Sequence, residues 1–133
     1  VFAEMQRALE GCIGEWGMVR DAANYRALLR QSHVVLSTAL HEFQGLAVLE
    51  AVASGCIPLV PDRLAYPEWL GPEYRYPSAP AEPEQESAEI ARRLALLAEQ
   101  YDRGALPPAP DVSGLSWSHL RPAYAAELGR LLQ

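Results

Sequence analysis

Two short apolar runs bracket a helical pattern between residues 33 and 61, and few folds accommodate that arrangement. His33-Val34-Val35-Leu36-Ser37-Thr38 is β-branched and almost wholly apolar, which reads as a strand covered on both faces, as in a parallel sheet. Leu46 to Ser54 is a helix pattern rich in Ala, Val and Leu, closed by Gly55. Ile57-Pro58-Leu59-Val60-Pro61 reads as a second buried strand, framed by prolines. The three make a βαβ unit of roughly the 30 residues such units take. Its right-handed crossover is the default, so the expected class is α/β with a parallel sheet.

The flanking segments extend that frame. Residues 2–9 read as a short helix with Phe2, Met5 and Leu9 on one face. Gly11, Gly14 and Gly17 punctuate the next stretch, in which Ile13, Trp16 and Val19 suggest a strand ending near Val19. Asp21 is placed to cap a helix over about 22–30 that puts Tyr25, Leu28 and Leu29 on one face. Downstream, Tyr66-Pro67-Glu68-Trp69-Leu70 suggests one helical turn and Tyr74-Arg75-Tyr76 a short edge strand. Residues 77–87 are rich in Pro and Glu and read as an exposed loop. Ser87 is the expected cap of a helix running to about Tyr101, with Ile90, Leu94, Leu97 and Tyr101 on one face. A proline-rich connector over 104–115 precedes a last helix capped by Ser118. That cap puts Pro122 at the fourth helical position and makes Leu120, Tyr124, Leu128 and Leu131 an apolar stripe.

Length and charge restrict what such a fold does. With 133 residues there is room for one domain or a large piece of one. A start at Val1 rather than Met is expected of a fragment or a processed product. The balance of 11 basic to 17 acidic residues opposes a principal nucleic-acid binder, which needs cations to displace counterions from phosphates. The apolar runs are far shorter than the about 20 residues of a membrane span. Cys12 and Cys56 are too few and too far apart for a disulfide scaffold or a zinc site, which fits a reducing, cytoplasmic compartment. His33, His41 and His119 lack metal-site spacing, and no G-x-S-x-G, P-loop or G-x-G-x-x-G is present. The Trp and Tyr residues sit at core-like spacing and read as packing residues.

The loop Thr38-Ala39-Leu40-His41-Glu42-Phe43-Gln44-Gly45-Leu46 is the segment with chemical content. In open α/β sheets ligands bind beyond the carboxyl ends of the strands. A helix beginning near Gly45 directs unpaired N–H groups and its positive end there, which suits a phosphate. Gly45 has no Cβ, so a ligand can approach the backbone closely. Glu50 is surrounded in sequence by Val48, Leu49, Ala51 and Val52, and a carboxylate drawn out of water there must find partners. Two readings stay open: a solvated helix Glu favoured by the dipole, or an acceptor for two sugar hydroxyls such as those of ribose.

Glu42-Phe43-Gln44-Gly45-Leu46 with Glu50 resembles the E-x7-E motif of retaining glycosyltransferases with the GT-B fold. The continuation Glu50-Ala51-Val52-Ala53-Ser54-Gly55-Cys56-Ile57-Pro58 resembles the same enzymes' Glu-Ala-x-Ala-x-Gly-x-Pro stretch. A closer resemblance, to the tRNA-queuosine mannosyltransferase family, rests on Ser37 to Phe43, Leu49-Glu50-Ala51, Gly55 to Leu59 and Arg63-Leu64-Ala65-Tyr66-Pro67-Glu68. Trp16-Gly17, Tyr25, Leu28-Leu29 and Ser116-Trp117 extend it. Gln44 departs from the family, which usually carries an aromatic residue there, and this bears on the shape of the donor-sugar pocket.

The resemblance implies that residues 1–133 are part of the C-terminal, nucleotide-sugar-binding domain of a GT-B enzyme, a Rossmann-like parallel sheet with flanking helices, here incomplete. It implies that Glu50 holds the donor ribose, that Glu42 lies catalytically beside the donor sugar, and that amides around Gln44, Gly45 and Leu46 hold the diphosphate. Thr38, His41 and Phe43 complete the implied donor site. The implied donor is GDP-mannose and the implied acceptor is queuosine in tRNA, gripped by an N-terminal domain absent here. No metal or other cofactor is implied, because helix N-termini and basic side chains stabilise the leaving diphosphate in GT-B enzymes. The family's basic phosphate ligands lie upstream and have no match in this chain. The resemblance also makes the 13–19 strand third and the 33–38 strand fourth in the order 3-2-1-4-5-6, leaving the strands between them missing. Exposed edges then favour self-association. Two competing readings are a GT-B-type nucleotide-sugar epimerase and a non-catalytic interaction module in which Glu42 and Glu50 are only solvated.

Overall fold

The computed structural model describes residues 2–131. Its helices are α1 (Phe2–Ala8), α2 (Ala22–Gln31), α3 (Leu46–Ala53), α4 (Pro83–Asp102) and α5 (Trp117–Leu131). Its strands are β1 (Val34–Leu36), β2 (Ile57–Pro61) and β3 (Arg75–Tyr76). The strands lie in the order β1-β2-β3 and all run parallel. Val34 stands opposite Ile57 and Leu36 opposite Leu59, while Val60 stands opposite Arg75. The two apolar runs are therefore adjacent parallel strands joined through α3, as their sequence predicts.

β2 is central and buried at every position, although two of its five residues are prolines that cannot donate to a ladder. The pairing explains the tolerance. Ile57 N donates to His33 O, and Ser37 N donates to Leu59 O, on the β1 side; Asp62 N donates to Tyr76 O on the β3 side. Successive residues of a strand face opposite neighbours, so Pro58 looks toward β3 before β3 begins and Pro61 looks toward β1 after β1 has ended. Neither proline removes a ladder bond.

The core is built between α3 and the sheet. Val48 and Val52 of α3, Val60 of β2, and Tyr66 and Leu70 beyond it form one buried cluster, with Val35, Trp69, Tyr74 and Val112 packed against it. Each fully buried aliphatic side chain stabilises by about 1.5–3 kcal/mol. Cys56, fully buried, directs its thiol at the carbonyls of Leu29 and Ser32 and so ties the end of α2 to the start of β2. Burial pushes that thiol's pKa up. Cys12 is exposed.

Several expectations are corrected. No strand forms over 13–19; Gly11 and Gly17 take left-handed φ of 92° and 90°, which turn the chain on either side of Ile13-Gly14-Glu15-Trp16 and prevent an extended run. β1 is shorter than 33–38, and Leu36 is exposed, so this strand is not covered on both faces. α1 ends at Ala8, and Met5 and Leu9 stay exposed; nothing is described of the Phe2 side chain. α4 starts at Pro83, not after Ser87. Proline suits a helical first turn, where its missing N–H costs nothing, and Ser87 Oγ instead donates to Glu84 O. Along α4, Ile90, Leu94 and Leu97 are half-buried, whereas Tyr101 stays exposed with its ring edge against His33. In α5 the residue before the helix is Ser116, not Ser118; its carbonyl accepts from His119 and Leu120. Pro122 is thus the sixth helical residue and leaves the Ser118 carbonyl without its usual donor. Tyr124, Leu128 and Leu131 of the expected stripe are exposed. Among the described residues no helix is long and apolar enough to cross a membrane.

Candidate functional site

The segment from Ser37 to Gly45 leaves the carboxyl end of β1 and turns into α3, which is where an open α/β sheet presents its ligand-binding edge. Two tyrosine hydroxyls fix its start. Tyr76 Oη donates to Ser37 O (2.8 Å), and Tyr66 Oη shares a hydrogen bond with Ser37 Oγ (2.8 Å). Both rings are fully buried. For Tyr76 burial, with a smaller push from Glu86, moves the hydroxyl pKa from 10.0 to about 12. Ser37 Oγ also accepts from Ala39 N (3.3 Å), and Ala39 O accepts from Arg63 Nε (3.0 Å).

Gly45 ends the segment at φ 71° and ψ 36°, and no side chain caps the helix behind it. A Cβ there would lie 2.8 Å from Tyr66 Cε1 and 3.6 Å from Trp69 Cζ2. The space that glycine opens is filled by the core and is not the ligand approach that the sequence suggested. Its two requirements, a left-handed backbone and a close aromatic ring, are both internal.

Glu42 is half-buried, and its Oε1 accepts from the amide of Phe43 (3.0 Å). Amides of Gly45, then Phe43 and Gln44, hold its carboxyl below the ordinary carboxylate range. Of the amides expected around a diphosphate, those of Gly45 and Gln44 thus already lie against the Glu42 carboxylate. Glu50 stands on the second turn of α3 and is exposed, not drawn out of water as its apolar neighbours in sequence suggested. Tyr25 Oη from α2 donates to its Oε2 (3.1 Å). Burial, and then the bond to Glu50, raises the Tyr25 pKa. Oε1 of Glu50 has no protein partner among the described residues. The side chains of Thr38, His41, Phe43, Gln44 and Leu46 are all exposed, Phe43 by 96%. All sit on one connection, and the two glutamates are held differently: Glu42 by its own loop, Glu50 by a tyrosine of another helix.

The network beneath this segment was not legible in the sequence. Arg63 makes a bidentate pair with Glu86 (2.8 and 2.9 Å) and also donates to Ser78 Oγ (3.0 Å). Glu86 accepts further from Ala79 N (2.7 Å). The Arg63 side chain lowers the Glu86 pKa, and Glu86 raises that of Arg63. The one available signal was Glu86 lying three residues beyond Pro83, on the first turn of α4, once the helix start is placed correctly. A cavity of about 290 Å³ lined by Ile57, Pro58, Leu96 and Leu97 lies at the opposite, amino end of β2 and takes no part in this arrangement. Among the described residues no three His, Cys, Asp or Glu side chains are grouped to hold a metal ion.

Over 75 residues the chain is 37% identical to the tRNA-queuosine alpha-mannosyltransferase of Drosophila melanogaster. The matched stretch is 56% of this chain and spans 20% of that protein's length. No protein-family model matches, and no solved structure does.

Proposed function

We propose that this chain is the donor-binding part of a retaining glycosyltransferase of the GT-B type, which transfers mannose from GDP-mannose to queuosine in tRNA. The observation that carries the reading is the pair of glutamates on one strand-end connection. Glu50 is oriented by Tyr25 with a carboxylate oxygen left free, and Glu42 stands eight residues earlier, on the loop between β1 and α3, three residues before Gly45. The partial similarity to a mannosyltransferase supports the reaction class. In this reading Glu50 accepts from the ribose hydroxyls, and the amino end of α3 faces the diphosphate. Glu42 meets the mannose, with Thr38, His41, Phe43, Gln44 and Leu46 around the donor. The acceptor and the basic phosphate ligands belong to parts of a longer, cytoplasmic protein outside these 133 residues.

Calorimetry with GDP-mannose on the full-length protein tests it. Glu50→Gln preserves shape but accepts more weakly. Loss of a charge-assisted hydrogen bond costs about 1.5–3 kcal/mol, so the affinity should fall roughly tenfold or more. Equal affinity for variant and wild type would refute the ribose assignment. One observation favours a second reading, a non-catalytic interaction module: the Glu42 carboxylate is spent on its own loop. Absence of any GDP-mannose binding would favour that module.

A further inference from the structure

We propose that Arg63 is a positioning residue for Glu42: its guanidinium anchors the segment leaving β1 to the β3–α4 turn and the first turn of α4. The proposal rests on the reading of Glu42 as a contact to the donor sugar.

All three guanidinium nitrogens are used, and they divide by direction. Nη1 and Nη2 bind Glu86, and Nη1 also reaches Ser78, so these two serve the β3–α4 side. Nε alone crosses to Ala39 O, three residues before Glu42. The pair is largely withdrawn from solvent, with side chains 12% and 10% exposed. Leu64, next in the chain, takes a left-handed φ of 61°, the one non-glycine residue to do so among those described. A leucine adopts that backbone only where its surroundings impose it, and here it stands beside the side chain that turns inward.

A guanidinium is suited to this task and an ammonium is not. The Ala39 carbonyl and the two oxygens of Glu86 lie on different edges of one rigid planar fork, whereas lysine offers a single point charge on a flexible stem. Arg63→Lys can keep a charge near Glu86 but loses the bridge to Ala39. With that bridge gone, the segment keeps the Ser37 anchors and the Ala39 N–Ser37 Oγ bond upstream and Gly45 downstream, and it loses its tie through Ala39 to the β3–α4 turn. Glu42 between them loses its fixed place, and a displacement of about 1 Å in a reacting group can cost on the order of a hundredfold in rate.

The test uses the full-length protein and three readouts. Amide resonances of Phe43 and Gly45 report the Glu42 carboxylate seated on the loop, calorimetry gives GDP-mannose affinity, and turnover gives the rate. Arg63→Lys should move both amides toward unstructured positions at neutral pH and lower kcat by roughly 10- to 100-fold, with donor affinity within about twofold. Glu86→Gln, which keeps the packing but releases the guanidinium's charged partner, should move the amides and kcat the same way by less, with donor affinity again unchanged, and it decides the matter if Arg63→Lys does not fold. A folded variant with reduced thermal stability but wild-type Phe43 and Gly45 amides and unchanged kcat would overturn the proposal and leave Arg63 a structural ion pair. If wild-type protein neither binds nor turns over GDP-mannose, the glycosyltransferase reading fails, while the amide resonances still decide whether Arg63 places the Glu42 loop.

Discussion

Replacing Gly45 by alanine tests whether the loop before α3 is set by the core or left open for a ligand. Two costs add. Alanine at φ 71° and ψ 36° pays for a left-handed backbone, about 1–2 kcal/mol. Its Cβ would also lie 2.8 Å from Tyr66 Cε1, closer than real contacts allow. The ring cannot swing aside cheaply, because Tyr66 is fully buried and its hydroxyl is bonded to Ser37 Oγ. Overpacking of this kind costs about 1–3 kcal/mol. Reduced entropy of the unfolded chain returns about 0.4–1 kcal/mol. The net loss should be about 1–4.5 kcal/mol, a sizeable share of the roughly 5–15 kcal/mol typical of a domain. Urea unfolding of Gly45→Ala, with an unchanged slope and a lower midpoint, measures it. A double-mutant cycle with Tyr66→Leu separates the two parts. The leucine removes the clash but not the backbone strain, so the pair should couple favourably by about 1 kcal/mol or more. A loss below about 0.5 kcal/mol for Gly45→Ala, which is the scatter of ordinary surface substitutions, would refute both the backbone and the contact argument.

Tyr76 should ionise well above the ordinary tyrosine range. Its folded pKa of about 12 lies above the ordinary 10.0, so the neutral phenol supports the fold fully below pH 10 and that support is lost as the pH rises toward 12. Absorbance at 295 nm and circular dichroism should therefore change together in that window; complete ionisation near pH 10 with the fold intact would contradict the burial argument. The isolated 133-residue chain should self-associate, since Phe43, Trp117, Tyr124, Leu128 and Leu131 are exposed and β1 has an open edge. Light scattering that finds a monomer across a wide concentration range would count against it.

The βαβ unit was legible because two independent signals coincided there: short apolar runs of strand length and a helical pattern ended by Gly55. Elsewhere one signal stood alone. Ile13, Trp16 and Val19 have strand-like spacing, but the glycines around them take turn conformations that spacing does not reveal. Ser87 and Ser118 are good caps by residue type. Each lost to a neighbour at the true helix start, Pro83 with its fixed φ and Ser116 with its carbonyl on the first turn. At the site, Asp21 capping α2 through Asn24 N and the strand-end position of Glu42 followed from local chemistry. The partners of Glu50 and Ala39 did not, because Tyr25 and Arg63 are 25 and 24 residues away from them, and nothing in a linear pattern ties a tyrosine on a helix face to one carboxylate among many.

The seating of Glu42 has a consequence for ligand binding. Its Oε1 accepts from the Phe43 amide, and the Gly45 and Gln44 amides also favour its charged form; in the proposed reading the Gln44 and Gly45 amides face the diphosphate as well. On that reading anion and carboxylate compete for those two amides, and a nucleotide takes them by turning Glu42 off the loop, toward the sugar. Glu42→Ala should act in opposite directions on two ligands. GDP, which has no sugar to meet, gains free amides and should bind several-fold tighter. GDP-mannose loses a sugar contact as it gains those amides, so its affinity should change little while turnover falls steeply. That split is expected of an interaction stronger in the transition state than in the ground state. Equal losses in GDP-mannose binding and rate would make Glu42 a ground-state contact, and weaker GDP binding by Glu42→Ala would show that the carboxylate does not compete with the diphosphate at all.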